Sequence, residues 1–284
     1  MEASLEQDGL NQVVWANPHA VREYGAARGF SDRGEEAVYA HLAARMRQEA
    51  VLDIGVGGGR TVELLAPLAQ KYVALDYAPS MVEACRQRFP RVDVSVGDAR
   101  DLSRFADETF GLVTFSFNGI DAVDHASRKS VLREVQRVLK PNGLFWFSTL
   151  NIAGMGLRLR PWLPEWPTHN GKPVRYALET ARMLARMPKR ILNYVRLRPL
   201  FSAGSGWSIN TLSAHDYKLL VHYTSLAREC DELAEYGFAL ELALDSGLGE
   251  PVSVLSDVHD VFWFQILARK VDARGSTREQ SEAT

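Results

Sequence analysis

The feature that most constrains this chain is a short apolar run that passes straight into a glycine turn. Val51-Leu52-Asp53-Ile54 is followed by Gly55-Val56-Gly57-Gly58-Gly59-Arg60, and helical spacing resumes over Thr61 to Leu68. Four residues are too few for a helix and suit a buried strand. Glycine permits positive φ and lets backbone approach a ligand with no Cβ in between. A loop that cradles nucleoside triphosphates needs Lys-Ser or Lys-Thr after its last glycine, and Arg60-Thr61 does not supply it. A dinucleotide fingerprint needs a third glycine three places after the second, and that place holds Arg60, which speaks against a nicotinamide oxidoreductase. What remains is Asp53-x-Gly55-x-Gly57-x-Gly59, a pattern also compatible with a plain chain reversal.

The rest of the first half keeps the same rhythm. Helical spacing over Asp32 to Gln48 precedes the first strand. Further apolar runs at Tyr72–Leu75, Val92–Val96, Phe110–Phe117 and Gly143–Thr149 alternate with helices that begin at Pro79 and Ser127. Such runs suit strands covered on both faces of a parallel sheet. The fold class expected is therefore α/β and doubly wound, with ligands outside the carboxyl ends of the strands. After Asn151 the rhythm breaks at Pro161, Pro164, Pro167 and Pro173. A helix or helix pair is expected over Val174 to Val195, an extended segment over Tyr217 to Tyr223, and two last strands at Phe238–Leu244 and Phe262–Ala268. The expected organisation is an N-terminal segment (1–30, loose to about residue 12) closing over the site, a cofactor-binding core (31–151), a basic helical insertion acting as substrate cap (152–214), the remainder of the sheet (215–270) and a flexible tail (271–284).

Val51 to Arg60 resembles the first motif of class I S-adenosylmethionine-dependent methyltransferases. Three more segments follow in family order: Asp76-Tyr77-Ala78-Pro79-Ser80-Met81 is similar to its D-x-S-x-x-M, Gly97-Asp98-Ala99 to its G-D-A, and Val138-Leu139-Lys140-Pro141-Asn142-Gly143 to its R-V-L-K-P-G-G, with Ala78 and Asn142 departing from it. The resemblance covers Val51 to Asn151 well. It implies a Rossmann-like, mostly parallel seven-stranded sheet with the last strand antiparallel and an insertion after the fifth, S-adenosylmethionine as cofactor and S-adenosylhomocysteine as product. It also implies roles. The backbone of Gly55, Gly57 and Gly59 lines the methionine part, with Asp53 near its ammonium and Arg60 beside it. Asp76 accepts from both ribose hydroxyls, because an ionised carboxylate has two acceptor oxygens. Tyr77 and Met81 pack on adenine, Asp98 and Ala99 meet its edge, and Ser116 and Phe117 flank the sulfonium. Tyr24 and Trp15 close over the site or anchor the core.

Methyl transfer from a sulfonium needs alignment above all, and a base only for a protonated nucleophile. The candidate bases are His125 and then Asp121, with His169, His215 and His222 in or near the insertion; Asn118, Asn151, His215 and Tyr223 are candidates to hold substrate. No ligand cluster is spaced for a metal. From Gly154 to Ser205 the chain holds Arg158, Arg160, Lys172, Arg175, Arg182, Arg186, Lys189, Arg190, Arg196 and Arg198 against Glu165 and Glu179, with Trp162, Trp166 and Trp207 nearby. The ordinary meaning of such a run is a solvated helix face. Its functional meaning is attraction for an anionic or aromatic metabolite, ranked ahead of a lipid or membrane-linked substrate and of RNA. A net charge of -2 gives no global field toward nucleic acid. The competing class is a non-catalytic cofactor-binding sensor or partner subunit, monomeric or dimeric like the enzyme. Two distant cysteines, Cys85 and Cys230, and an acidic N-terminus lead to the expectation of a cytoplasmic protein.

Overall fold

The computed structural model describes residues 2–164, 166 and 173–271. The expected tail at 272–284 and, in the insertion, Glu165, Pro167, His169 and Lys172 lie outside the described residues. In chain order the elements are α1 (Glu2–Trp15), α2 (Pro18–Gly25), α3 (Arg33–Leu42), β1 (Ala50–Ile54), α4 (Val62–Leu65), β2 (Lys71–Asp76), α5 (Pro79–Arg88), β3 (Asp93–Val96), β4 (Phe110–Phe115), α6 (His125–Val138), β5 (Leu139–Asn151), α7 (Met155–Arg158), α8 (Pro173–Leu197), β6 (Ser202–Gly204), β7 (Trp207–Thr211), β8 (Leu220–Thr224), α9 (Leu226–Glu235), β9 (Phe238–Asp245) and β10 (Trp263–Lys270).

Strands β3-β2-β1-β4-β5 lie side by side and parallel; β10 pairs antiparallel with both β5 and β9. These seven strands are the expected Rossmann-like sheet, with the last strand in sequence antiparallel. Side chains alternate between two cores because successive strand residues face opposite ways. Leu52, Val113, Phe145, Phe147 and Ile266 pack under α6, while Val51, Leu112, Leu144, Trp146 and Leu267 pack under α3. The apolar positions of α6, Val131, Leu132, Val135 and Val138, are fully buried, and Asp124 caps its first turn by accepting from Ala126 and Ser127 N–H.

Three features depart from the expectations. Residues 2–12 are helical rather than loose, because α1 is held by its amides. Asn11 Nδ2 donates to the Leu220 carbonyl at 2.8 Å and its Oδ1 accepts from Leu220 N–H at 3.1 Å, so α1 completes the backbone pairing of β8. Besides the short α7, the insertion holds the expected helix as one long α8, with Pro188 inside it. It also contains a hairpin, β6–β7, that the sequence reading did not anticipate. With β8 this hairpin forms an antiparallel flap that joins the main sheet only at Leu150↔Tyr223 and Asn151↔Thr224. Tyr217 is not extended; it belongs to a turn in which His215, Asp216 and Tyr217 all take positive φ.

Candidate functional site

A cleft of about 650 Å³ opens at the carboxyl ends of β1, β2 and β4, beside the point where strand order reverses. Its floor is the glycine turn. Gly55 and Gly57 both have positive φ and face the cleft. At Gly58, which the sequence reading passed over, a Cβ would stand 2.3 Å from the Gly25 Cα. The N-terminal segment therefore lies directly on the turn. Gly59 points the other way: a Cβ there would meet the Phe89 ring at 2.6 Å, so its role is packing against the end of α5.

Asp76 ends β2 and lines the cleft, nearly buried. Gly57 N–H donates to its Oδ2 at 2.9 Å and Ala78 N–H to its Oδ1 at 2.8 Å. One carboxylate thus fixes both the glycine turn and the start of α5, and each oxygen retains acceptor capacity. Burial pushes its pKa up, and the two N–H groups pull it back. Asp98, after β3, carries a fork of bonds from Arg100 and sits below the ordinary carboxylate range despite partial burial, which raises it; Arg100 in turn pairs with Asp8 of α1. Arg60 lines the cleft, but its charge is already matched. Glu35, buried and fully paired, takes both guanidinium nitrogens at 2.6 and 2.8 Å, and Arg60 also donates to Ser116 Oγ at 3.2 Å. Tyr77, Met81, Ala99, Ser116, Phe117 and Asn118 line the same space.

The opposite wall is aromatic. Trp15, Tyr24, Phe117 and Trp263 form a chain of edge-to-face contacts with His215 set among them, stacked on Tyr24 and with Nε2 3.0 Å from the Tyr24 hydroxyl. Burial raises the Tyr24 phenol to about 12, so it stays protonated. Left-handed backbone at His215, Asp216 and Tyr217 costs on the order of 1–3 kcal/mol per residue. The turn is held from outside by Asn193 Nδ2 on the Asp216 carbonyl (2.8 Å) and by Arg186 on its carboxylate (2.7 Å). Successive left-handed non-glycine residues leave no mark in a hydropathy pattern, which is why this turn escaped the sequence reading.

Five candidates named from the sequence are elsewhere. Asp53 is sealed behind the turn, where Thr61 and Tyr72 hydroxyls donate to Oδ2; burial raises it to about 6. Asp121 is fully buried, accepting from Arg128 (3.1 Å), Thr149 (2.8 Å) and Leu150 N–H (2.7 Å), so no proton-transfer role in the cleft is open to it. Asn151 donates to the Val258 and Val261 carbonyls and fastens that loop to the end of β5; Tyr223 donates to the Thr211 carbonyl and ties β8 to the end of β7. His125 lies outside the cleft, stacked on Trp207 with ring centroids 3.8 Å apart and bonded through Nδ1 to His222 Nε2 at 3.0 Å. The insertion, expected to choose the substrate, places no described arginine in the cleft lining; it reaches the cleft through its last residues, Leu212–Ala214, which His215 follows, and Phe262–Trp263 complete this side.

His222 is fully buried. Burial first, then the Arg128 guanidinium, hold its pKa far below the ordinary value for imidazole. A depressed folded value means that its contribution to stability is present above about pH 6.5 and is lost as pH falls below that, by up to about 1.4 kcal/mol per unit. Thermal melts from pH 7 to pH 5 are expected to fall less steeply for His222→Gln than for the parent. Parallel curves for the two proteins would mean that His222 does not carry the dependence.

Residues 51–143 match a family model described as "Methyltransferase domain". A probable S-adenosylmethionine-dependent methyltransferase of Mycolicibacterium smegmatis is 33% identical over 120 residues, 42% of this chain and 45% of that protein. A demethylmenaquinone methyltransferase of Renibacterium salmoninarum is 39% identical over 95 residues, 34% of this chain and 38% of that one. The aligned part thus spans less than half the length of these relatives. Among solved structures, a Burkholderia thailandensis 1,6-didemethyltoxoflavin-N1-methyltransferase, with its substrate and S-adenosylhomocysteine bound, superposes with a TM-score of 0.56 at 14% identity, over 95% of this chain and 91% of that one. A methyltransferase of Streptomyces caelestis gives 0.53 at 16% identity, over 88% and 95%. At such identities the likeness is one of fold. With four motifs in order on a 3-2-1-4-5 sheet, residues 51–143 are similar to a methyltransferase domain, and the sheet has the Rossmann-like topology of the class I S-adenosylmethionine-dependent methyltransferases.

Proposed function

We propose that this chain binds S-adenosylmethionine in the cleft and transfers its methyl group, in line, to an O, N or S nucleophile of a small aromatic metabolite. One observation carries the reading. The glycine turn, Asp76, the Asp98–Ala99 step and Ser116–Asn118 come from four separate strand ends and line one cleft. The cofactor fits the polar atoms found there: Tyr77 Oη and Asn118 Oδ1 are buried oxygens on cleft residues with no protein partner, and Asp76 has acceptor sites to spare. When bound, the cofactor supplies an electrophilic methyl group on sulfur.

The chain's own part is alignment and exclusion of water, and alignment alone contributes on the order of 7–11 kcal/mol. Gly55 and Gly57 let backbone approach the amino-acid end, Asp76 accepts from the ribose, and Phe117 and Asn118 bound the transfer site. Tyr24 and Trp15 cover it from the N-terminal segment. His215, oriented by the Tyr24 hydroxyl, takes the proton when the nucleophile is a hydroxyl or an ammonium. Between an anionic and an aromatic acceptor the lining favours the aromatic one, since Arg60 and Arg100 are already matched by carboxylates. The relatives named for quinone precursors point the same way. The free thiols of Cys85 and Cys230 agree with a reducing, cytoplasmic setting.

Calorimetry with S-adenosylhomocysteine is expected to give one saturable site per chain, and an acceptor screen by mass spectrometry a product heavier by one methylene. Absence of binding would overturn the cofactor reading. Binding with no turnover on any aromatic acceptor would favour a sensor or partner subunit instead.

A further inference from the structure

Among the described residues, helix α8 is the one long element whose apolar stripe faces away from the protein. At 100° per residue, Tyr176, Met183, Met187, Arg190, Tyr194 and Leu197 form the inner face and are buried or half-buried. Val174, Leu178, Leu184, Leu192 and Val195 lie on the opposite side and are 48–73% exposed, a large fraction for residues of this kind. Arg175, Arg182, Lys189 and Arg196 run along one edge of that stripe. The helix holds six Lys or Arg against one Glu, in a chain whose net charge is -2. Just before it in sequence, Trp162, Leu163 and Trp166 are also exposed, and the Trp162 ring stands edge-on to Tyr194 of α8 at 5.5 Å. No described helix is long and apolar enough to cross a membrane.

We propose that the outer face of α8 docks on an anionic lipid bilayer, lying in the interface with its leucine and valine stripe among the acyl chains and its basic edge on the headgroups. An amphipathic helix with a basic flank and neighbouring tryptophans has the chemistry such a surface recognises. Charge complementarity separates this occupant from a second copy of the chain. A two-fold contact would set the same stripe, and the same basic edge, against itself, and like charges brought together are costly. Asn193 and, more exposed, Arg186 of α8 hold the turn bearing His215. A docked helix therefore keeps the aromatic rim of the cleft close to the bilayer, a suitable position for an acceptor drawn from the apolar phase.

Flotation of the whole protein with vesicles of phosphatidylglycerol and phosphatidylcholine in equal parts tests this. Binding is expected to these vesicles, to be absent from pure phosphatidylcholine, and to weaken in high salt. Leu184→Glu/Leu192→Glu and Arg182→Glu/Arg196→Glu are each expected to lower partitioning about tenfold or more. Melting temperature and S-adenosylhomocysteine affinity should stay unchanged, since all four side chains point outward. Retained flotation of both double variants would overturn the proposal, as would a parent protein that ignores anionic vesicles. A concentration-dependent dimer in sedimentation equilibrium, lost in Leu184→Glu/Leu192→Glu, would assign the face to a second copy instead. Because cofactor affinity is measured separately, failure here leaves the methyltransferase reading standing or falling on its own.

Discussion

Replacing Arg128 by Met is expected to cost about 3–5 kcal/mol of stability, the largest loss from any single substitution considered for this fold. The guanidinium is fully buried. It reaches Asp121 at 3.1 Å, both Glu229 oxygens at 2.9 and 3.0 Å, and Glu232 at 3.6 Å, all of them buried. Methionine fills comparable volume but leaves three carboxyl groups without their cation. Burial raises Asp121 and Glu229 against the pull of Arg128, so without it they must take up protons or unfold the region. Domains are stable by about 5–15 kcal/mol, so a large share would go. At about 2–4 °C per kcal/mol for a chain of this size, the melting temperature should fall by roughly 6–20 °C. Adding Asp121→Asn and Glu229→Gln should restore part of it. A single variant that melts within about 2 °C of the parent would show that the network is not what holds α6 and α9 together. The consequence reaches the cleft. Asp121 sits in the turn that follows Asn118 and accepts from Leu150 N–H at the end of β5, so the network also fixes the wall formed by Phe117 and Asn118.

The same network marks how far a sequence reading reaches. Apolar runs and the glycine turn encode the seven-stranded sheet, because alternate burial on two faces is written locally in each strand, as in Leu144-Phe145-Trp146-Phe147. The cleft floor is legible for the same reason, since Gly55, Gly57, Asp76, Asp98 and Ser116 stand at strand ends that the pattern locates. What fails is polar partnership across long separations. Asp121 and His125 follow a strand as a base might, yet each is claimed by a residue about a hundred positions or more downstream or by a buried arginine: Asp121 by Arg128, itself tied to Glu229, and His125 by His222. Arg128 stands only seven positions from Asp121, but nothing near them in the chain announces Glu229 or His222. The β6–β7 hairpin was missed because β6 is only three exposed residues, and α1 because its fastening is two amides, Gln7 and Asn11, one turn apart in a polar segment; β8 falls largely within the extended segment that was expected. The basic insertion has an anion-attracting composition, but none of its described Lys or Arg side chains lines the cleft.

Replacing Asp76 by Ala is expected to weaken S-adenosylhomocysteine binding by about 100-fold or more while the protein stays folded. The carboxylate is placed to accept from two ribose hydroxyls, and each charge-assisted bond contributes about 1.5–3 kcal/mol. At 1.4 kcal/mol per decade, their joint loss is at least two orders of magnitude in affinity. A second effect adds to it. Asp76 is also the acceptor for Gly57 and Ala78 N–H, so alanine frees the glycine turn from β2 and leaves two donors facing the cleft. Asp76→Asn separates the two contributions. It keeps one carbonyl oxygen for Ala78 or Gly57, loses the charge, and should fall between parent and alanine in affinity, with little change in melting temperature. Calorimetry on the three proteins, with circular dichroism as the folding check, reads both effects. Affinity for the nucleoside within threefold of the parent in a folded Asp76→Ala protein would remove the sugar-binding role and leave this carboxylate as the clasp of the turn alone. The graded order parent, Asn, Ala is what a clasp that also binds requires, because only such a residue loses affinity in two steps, one with the charge and one with the last acceptor oxygen.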